Sequence, residues 1–222
     1  MKAFLVVVVL LGALAAGADW YFTGVAEERA GAEVSARLRA PVTVDLRGWP
    51  VSLRLLLGSV PEVAFAARDV PLQEVEGSLQ LLEATLQDVR LDPAALSGAD
   101  LVIEARAGTF LAVLDQATVA ALARGNLDGV SIELGAGTAR VGVPQLGGVG
   151  LDTAVAVEDG QVVMRMTGLP GQLLPPLRLD LPVLPGGATV TTVEILPGRL
   201  VVHGTVTRLD LSAVGGQVVP AG

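Results

Sequence analysis

From Asp19 to Arg39 the chain carries its one long run of helical period. Phe22, Ala26, Ala30, Val34 and Leu38 recur every four residues, with Glu27, Glu28, Arg29, Glu33, Arg37 and Arg39 between them. That spacing gives one apolar stripe and one charged face, and Glu33 precedes Arg37 by four, the favourable order on a helix surface. Pro41 ends the run. Beyond it the period drops to two: Val42, Val44 and Leu46 alternate with Thr43, Asp45 and Arg47, which predicts a strand with one buried face. Gly48-Trp49-Pro50 breaks the strand. Leu53, Leu55, Leu56 and Leu57 then crowd ahead of Gly58, too apolar for an exposed loop and too short to settle as a helix by period.

Val63, Phe65 and Ala67 predict the next strand, ending at Arg68-Asp69-Val70-Pro71. Val75 to Leu91 predicts a further strand or pair of strands, with Leu82, Ala84 and Leu86 in register and Asp88-Val89 near its end. Residues 101–107 and 109–114 read as two strands, the second with Phe110, Ala112 and Leu114 on one face. Asp115 is placed to cap a short helix from Gln116 to Arg124, with Val119 and Leu122 as its buried side and Gly125 as its stop. From Leu127 onward short strands alternate with turn residues. Asp159-Gly160 and Pro197-Gly198 predict hairpin turns, and the proline-rich stretch from Leu169 to Gly187 predicts an edge, a crossover or a loop. Gly215 to Gly222 predicts a disordered tail. The units ending at Asp69-Val70 and Asp88-Val89 resemble each other loosely. Together these elements predict one α+β domain over residues 19–214, a strongly curved, mostly antiparallel sheet wrapped around the long N-terminal amphipathic helix.

Residues 1–18 open with Met-Lys, run apolar from Ala3 to Leu14 and reach Ala16-Gly17-Ala18, a small-x-small site of the kind signal peptidase cuts. The expectation is export, to the cell envelope or beyond, with two outcomes open. The segment is a cleaved signal peptide, or it stays as a membrane anchor with Trp20, Tyr21 and Phe22 as an interfacial aromatic belt. Phe22 also falls on the helical stripe, which gives it a core position instead.

Composition narrows the function. The 222 residues are 51% hydrophobic with mean hydropathy +0.60, yet only 3% aromatic. Two explanations fit so much aliphatic surface: a compositional bias, seen also in the single lysine (Lys2) and single asparagine (Asn126), or an aliphatic-lined cavity. The formal charge of −8 speaks against a nucleic-acid partner. Without a lysine cluster to hold an anionic bilayer, contact with lipid has to come from burying tails. There is no cysteine for a disulfide, a thiolate metal site or a thiol nucleophile.

Catalytic patterns are missing. No serine stands in a Gly-x-Ser-x-Gly frame, and the one histidine, His203, sits on a predicted strand between Val202 and Gly204. One histidine and no cysteine do not supply a zinc site. The adjacent acids Glu27-Glu28 and Glu158-Asp159 fall on a solvated helix face and in a hairpin, and Gly147-Gly148-Val149-Gly150 lacks dinucleotide-loop spacing. No catalytic residue, metal or cofactor is predicted. Met164 and Met166, two apart on one strand, point to one side, either into a core or onto an adaptable apolar surface.

The order of elements resembles a known family. The apolar leader, the Glu/Arg-rich helix from Ala26 to Leu38 and the strand from Pro41 to Leu46 lead into Gly48-Trp49-Pro50 and the leucine run to Gly58. Val63 to Asp69-Val70, Asp88-Val89 and the helix from Gln116 to Arg124 follow. In that order they resemble the LmeA-like cell-envelope phospholipid-binding proteins, over most of residues 20–212. The resemblance implies a fold like the tubular lipid-binding superfamily, in which a bent sheet wraps a long helix and leaves a tunnel for acyl chains. It implies no catalytic residues. One departure is Val51, where relatives often carry a second aromatic.

The function expected is therefore binding of phospholipid, or a similar two-tailed lipid, for transfer, presentation or support of envelope biosynthesis at a membrane surface. The expected cavity lining is Phe22, Trp49, Leu53, Leu57, Phe65, Phe110, Met164 and Met166, with Arg47, Arg54 or Arg68 as candidates for a phosphate at its mouth. Two alternatives are a membrane-tethered, β-rich interaction module that binds no lipid and an envelope hydrolase.

Overall fold

The computed structural model describes residues 2–48, 50–72, 75–91, 103–124, 129–144, 149–168, 174–179, 181 and 187–210. Its elements run α1 (Lys2–Leu38), β1 (Val42–Arg47), α2 (Val51–Leu56), β2 (Ser59–Pro71), β3 (Ser78–Leu91), β4 (Ile103–Asp115) and α3 (Gln116–Arg124). They continue with β5 (Ser131–Leu134), β6 (Ala139–Val143), β7 (Val149–Glu158), β8 (Gln161–Met166), β9 (Leu177–Leu179), β10 (Ala188–Leu196) and β11 (Arg199–Asp210). The fold is β-rich, with a curled antiparallel sheet and an N-terminal helix. The strands form a six-stranded sheet, β1-β2-β3-β4-β11-β10, and a five-stranded sheet, β5-β6-β7-β8-β9, every neighbouring pair antiparallel. The small sheet is thus an insertion between β4 and the returning β10–β11 hairpin.

Several local expectations hold. The Asp115 carboxylate accepts the Thr118 N–H at 2.7 Å and caps α3, which starts and stops where the pattern places it. Asp159 and Gly160 both take positive φ, 51° and 78°, and join β7 to β8 in a two-residue turn. Pro197-Gly198 joins β10 to β11. The short β9 is an edge strand, in the proline-rich region.

Two local expectations change. Residues 103–115 form one strand through Gly108, not two, because that glycine serves close packing: a Cβ there would lie 2.8 Å from Leu86 Cδ2 and from the Thr85 carbonyl oxygen. The leucine run is a short helix, α2, with Val51 and Leu55 buried. Gly125 and the tail from Gly215 lie outside the described residues.

The helix does not lie inside the curl of the sheet. α1 contacts β1, α2 and β2, and it runs along the sheet's β1 edge. The reason is polar. An edge strand presents unpaired N–H groups, and here Glu27 Oε1 accepts the Leu46 N–H at 2.9 Å while Ser35 Oγ accepts the Val42 N–H at 3.0 Å. Gly31 lets the helix close in between them; a Cβ there would stand 3.3 Å from the Val42 carbonyl oxygen. Among the described residues, no helix is long and apolar enough to cross a membrane.

One core runs through both sheets. It joins Leu82, Ala112 and Val202 of the large sheet to Val141, Met164 and Leu177 of the small one, with Val119, Leu122 and Ala123 of α3. The β10–β11 turn is stitched to the insertion, since Gly198 N–H donates to the Leu134 carbonyl at 2.9 Å and Gln116 N–H donates to the Gly198 carbonyl at 3.0 Å.

Candidate functional site

Residues directly opposite on antiparallel neighbours point to the same face, so the register defines what each face of the large sheet offers. One row across it reads Val42, Ala67, Leu82, Ala112, Val202, Val193. The next reads Val44, Phe65, Ala84, Phe110, Gly204, Val190, and the third Leu46, Val63, Leu86, Gly108, Val206, Ala188. No polar side chain interrupts these three rows of six. With strands about 4.8 Å apart, the face spans about 24 Å.

Large and small residues alternate in the middle row. Phe65 and Phe110 are separated by Ala84, and Phe110 is followed by Gly204, where an added Cβ would run into the Phe110 ring. The missing side chain leaves room for the ring and for the Thr189 carbonyl oxygen of β10.

Cover over this face is uneven. Ala84, Phe110, Ala112, Val202 and Val206 are buried, whereas Val42, Val44, Val63 and Phe65 are half-buried. The face is closed over β3, β4 and β11 and partly open at both edges: at β1 and β2, beside α1 and α2, where Leu46 and Ala67 are nevertheless buried, and at Val193 and Ala188 of β10.

The expected lining set is therefore split. Phe65 and Phe110 share one row of the large sheet's inner face. Met164 and Met166 are 0% and 5% exposed, packed in the small sheet's side of the same core. Phe22, Leu53 and Leu57 are on the outside, 57%, 54% and 71% exposed, and line no interior space. Phe22 leaves the core because α1 meets β1 through the side that carries Glu27, Gly31 and Ser35. Trp49 lies outside the described residues.

Of the candidate phosphate ligands, Arg47 is committed to acids: its Nε lies 2.8 Å from Asp45 Oδ2 and its Nη1 2.8 Å from Glu62 Oε1. The hydrogen bond to Asp45 first, then that to Glu62, raises its pKa above the ordinary guanidinium value. Arg54 and Arg68 are exposed, and Arg54 stands in the last turn of α2.

Two open clefts lie elsewhere. One of about 660 Å³ is bordered by Glu133, Gly137, Thr138, Arg140, Asp152 and Thr167 on the small sheet. The other, about 300 Å³, lies over the large sheet by Glu83, Thr85, Thr109, Leu111, His203 and Thr205, and of the expected set only Phe110 borders it. Both linings mix polar side chains with apolar surface, unlike the three rows, which no polar side chain interrupts.

The alternations in β1 to β4 each flagged one face of one strand, but the residues that complete the rows, Gly204 and Val206 among them, carry no local signal of a site. Their signal is the pairing of β11 with β4, separated in sequence by the whole small sheet.

The family model for LmeA-like phospholipid-binding proteins matches residues 17–205. The chain belongs to the LmeA-like phospholipid-binding family. The match takes in α1 from Gly17, the β1 edge, the three apolar rows except Val206, and the whole inserted sheet. No curated protein and no solved structure matches the chain. For an LmeA-like protein, the large sheet's inner face is the part of this fold best suited to hydrocarbon.

Proposed function

We propose that this LmeA-like protein is exported and carries a phospholipid, or a similar two-tailed lipid, against the inner face of its six-stranded sheet, handing it over or presenting it at a membrane of the cell envelope. The observation that carries the reading is the three-row apolar face, half covered at Val42, Val44, Val63 and Phe65. Tails enter at that end and spread the sheet from α1 and α2 in the manner of the tubular lipid-binding fold. Each methylene taken from water contributes about 0.8 kcal/mol, so two acyl chains supply the affinity without a charged clamp. Of the three expected phosphate ligands, Arg54 and Arg68 are exposed and stand for a headgroup phosphate. The role is carriage, and no reaction is assigned to it.

Native mass spectrometry of detergent-free protein purified from its own host tests this reading. The expected result is a bound species with the mass of a two-tailed lipid, displaced or exchanged on incubation with vesicles. Lipid-free protein that takes up none from vesicles would end it.

One observation favours a second reading, a membrane-tethered interaction module that holds no lipid. Phe110, Met164 and Met166 are packed at 5% exposure or less, so the described centre is filled. The same measurement separates the two.

A further inference from the structure

Trp20, Tyr21 and Phe22 are consecutive on α1 and 81%, 65% and 57% exposed. Successive residues of an α-helix turn by about 100°, so three in a row reach around most of its circumference. The three leave only an arc of about 160° for contact with protein. At this level α1 is met by protein on the side of Asp19, which is 6% exposed and whose Oδ2 accepts the Val51 N–H at 3.2 Å. That bond ties α2 to the same level, and α2 turns Leu53 and Leu57 outward. Five large apolar side chains thus stand exposed on two elements joined by a buried carboxylate.

Three further facts name the occupant. The helix runs unbroken into this level from residues 3–18, which carry no charge and are almost wholly aliphatic. Trp and Tyr are the residues that favour the headgroup level of a bilayer. Asp19, the acid within this level, is buried, the next acids along α1 are Glu27 and Glu28, and the exposed charge on α2 is Arg54. An aliphatic segment, an aromatic girdle and a cation beside outward leucines fit the surface of a phospholipid bilayer.

We infer that the α1–α2 corner is a membrane foot: Leu53 and Leu57 insert among lipid tails beside the aromatic girdle, and Arg54 lies at the phosphates. The foot sets the β1 edge, with the half-open end of the apolar face, toward the bilayer. It rests on the exposed corner and not on lipid carriage, so either idea stands without the other.

The absence of cysteine allows a direct test. Single-cysteine variants of the full chain, Leu53→Cys, Leu57→Cys and, at the opposite sheet edge, Glu194→Cys, are labelled with an environment-sensitive nitrobenzoxadiazole probe. Each is bound to phosphatidylcholine vesicles containing phosphatidylglycerol. The expected result is a blue shift at 53 and 57 with quenching by lipids brominated near the glycerol end of the chain, and no change at 194. As a label-free check, the Trp49→Phe variant reports through Trp20 and should show the same quenching. Probes at 53 and 57 that stay in water on vesicle-bound protein, or a full chain that leaves vesicles unbound, overturn the foot. Loss of carried lipid in mass spectrometry with both probes still buried would instead remove carriage alone.

Discussion

The contact between Gly204 and the Phe110 ring is the tightest residue-scale constraint on the apolar face, because β11 crosses under an aromatic that fills the space a side chain would take. Gly204→Ala should destabilise the domain by roughly 1–3 kcal/mol, the usual range for forcing extra volume into a packed site. Adding Phe110→Leu should recover part of the loss, because the Thr189 carbonyl oxygen, 2.5 Å from the added Cβ, stays in place, and a double-mutant cycle by urea denaturation reads the coupling to the ring directly. Additive losses would mean the ring and the glycine do not constrain each other. A second residue-scale expectation concerns acid. Arg165 Nη2 and Nε reach the Glu158 carboxylate at 2.6 and 2.8 Å, and these hydrogen bonds hold its pKa below the usual carboxylate value. A depressed folded pKa adds stability at pH above the ordinary carboxylate range and loses it as pH falls through the lowered value. Glu158→Gln should therefore lower Tm slightly at neutral pH, with the difference from wild type vanishing in strong acid. The pair is exposed, so the effect is small. At this scale the sequence was informative where chemistry is local. The Asp-Val units are an example: Asp69 and Asp88 sit at φ 52° and 50°, a conformation aspartate tolerates better than most side chains, and the following Val70 and Val89 are 1% and 0% exposed. It was uninformative for Gly108, read as a break, because Thr85 and Leu86 on the neighbouring strand are what explain it.

Among the elements, the strands of the large sheet were legible as alternating faces and α3 by its cap, since both patterns arise within a few residues. The seat of α1 was not. An apolar stripe says that a helix must be covered, but the choice between the inside of a curl and its edge turns on hydrogen bonds formed across the chain, from Glu27 to Leu46 and from Ser35 to Val42. The dual Glu27→Ala, Ser35→Ala variant should leave two edge N–H groups without their acceptors. Each costs about 1 kcal/mol, and the loss should appear as faster amide exchange in β1 and as concentration-dependent association through the bared edge. Unchanged exchange at Val42 and Leu46 would show that water serves these groups as well as the helix does. The outward leucines of α2 illustrate the same limit from the other side. Their spacing is that of any short core helix, and only the tie between Asp19 and Val51, residues far apart in sequence, settles which side turns out.

For the molecule as a whole, the distribution of cover predicts how it opens. Backbone amides exchange fastest where few apolar contacts hold an element in place. The inner face is sealed over β4 and β11, where Ala112, Leu114, Leu200 and Val202 are at most 1% exposed, and looser at its edges, over β10 and over β1 with the half of β2 that holds Val63 and Phe65. In the free protein, hydrogen exchange followed by mass spectrometry should rank β4 and β11 as slowest, with β1 and the adjoining half of β2 well ahead of them. If lipid enters at that end, binding from phospholipid vesicles should slow exchange in β1, β2 and the stretch of α1 between Glu27 and Ser35. It should leave the Glu133–Asp152 cleft of the small sheet as it was. Protection arising instead around Glu133, Arg140 and Thr167 would place the ligand in the small-sheet cleft and make the apolar rows mere core. Protection confined to α1 and α2 would mark docking on the bilayer without entry. The three patterns fall on different peptides, so one experiment separates carriage from docking and from a site on the inserted sheet.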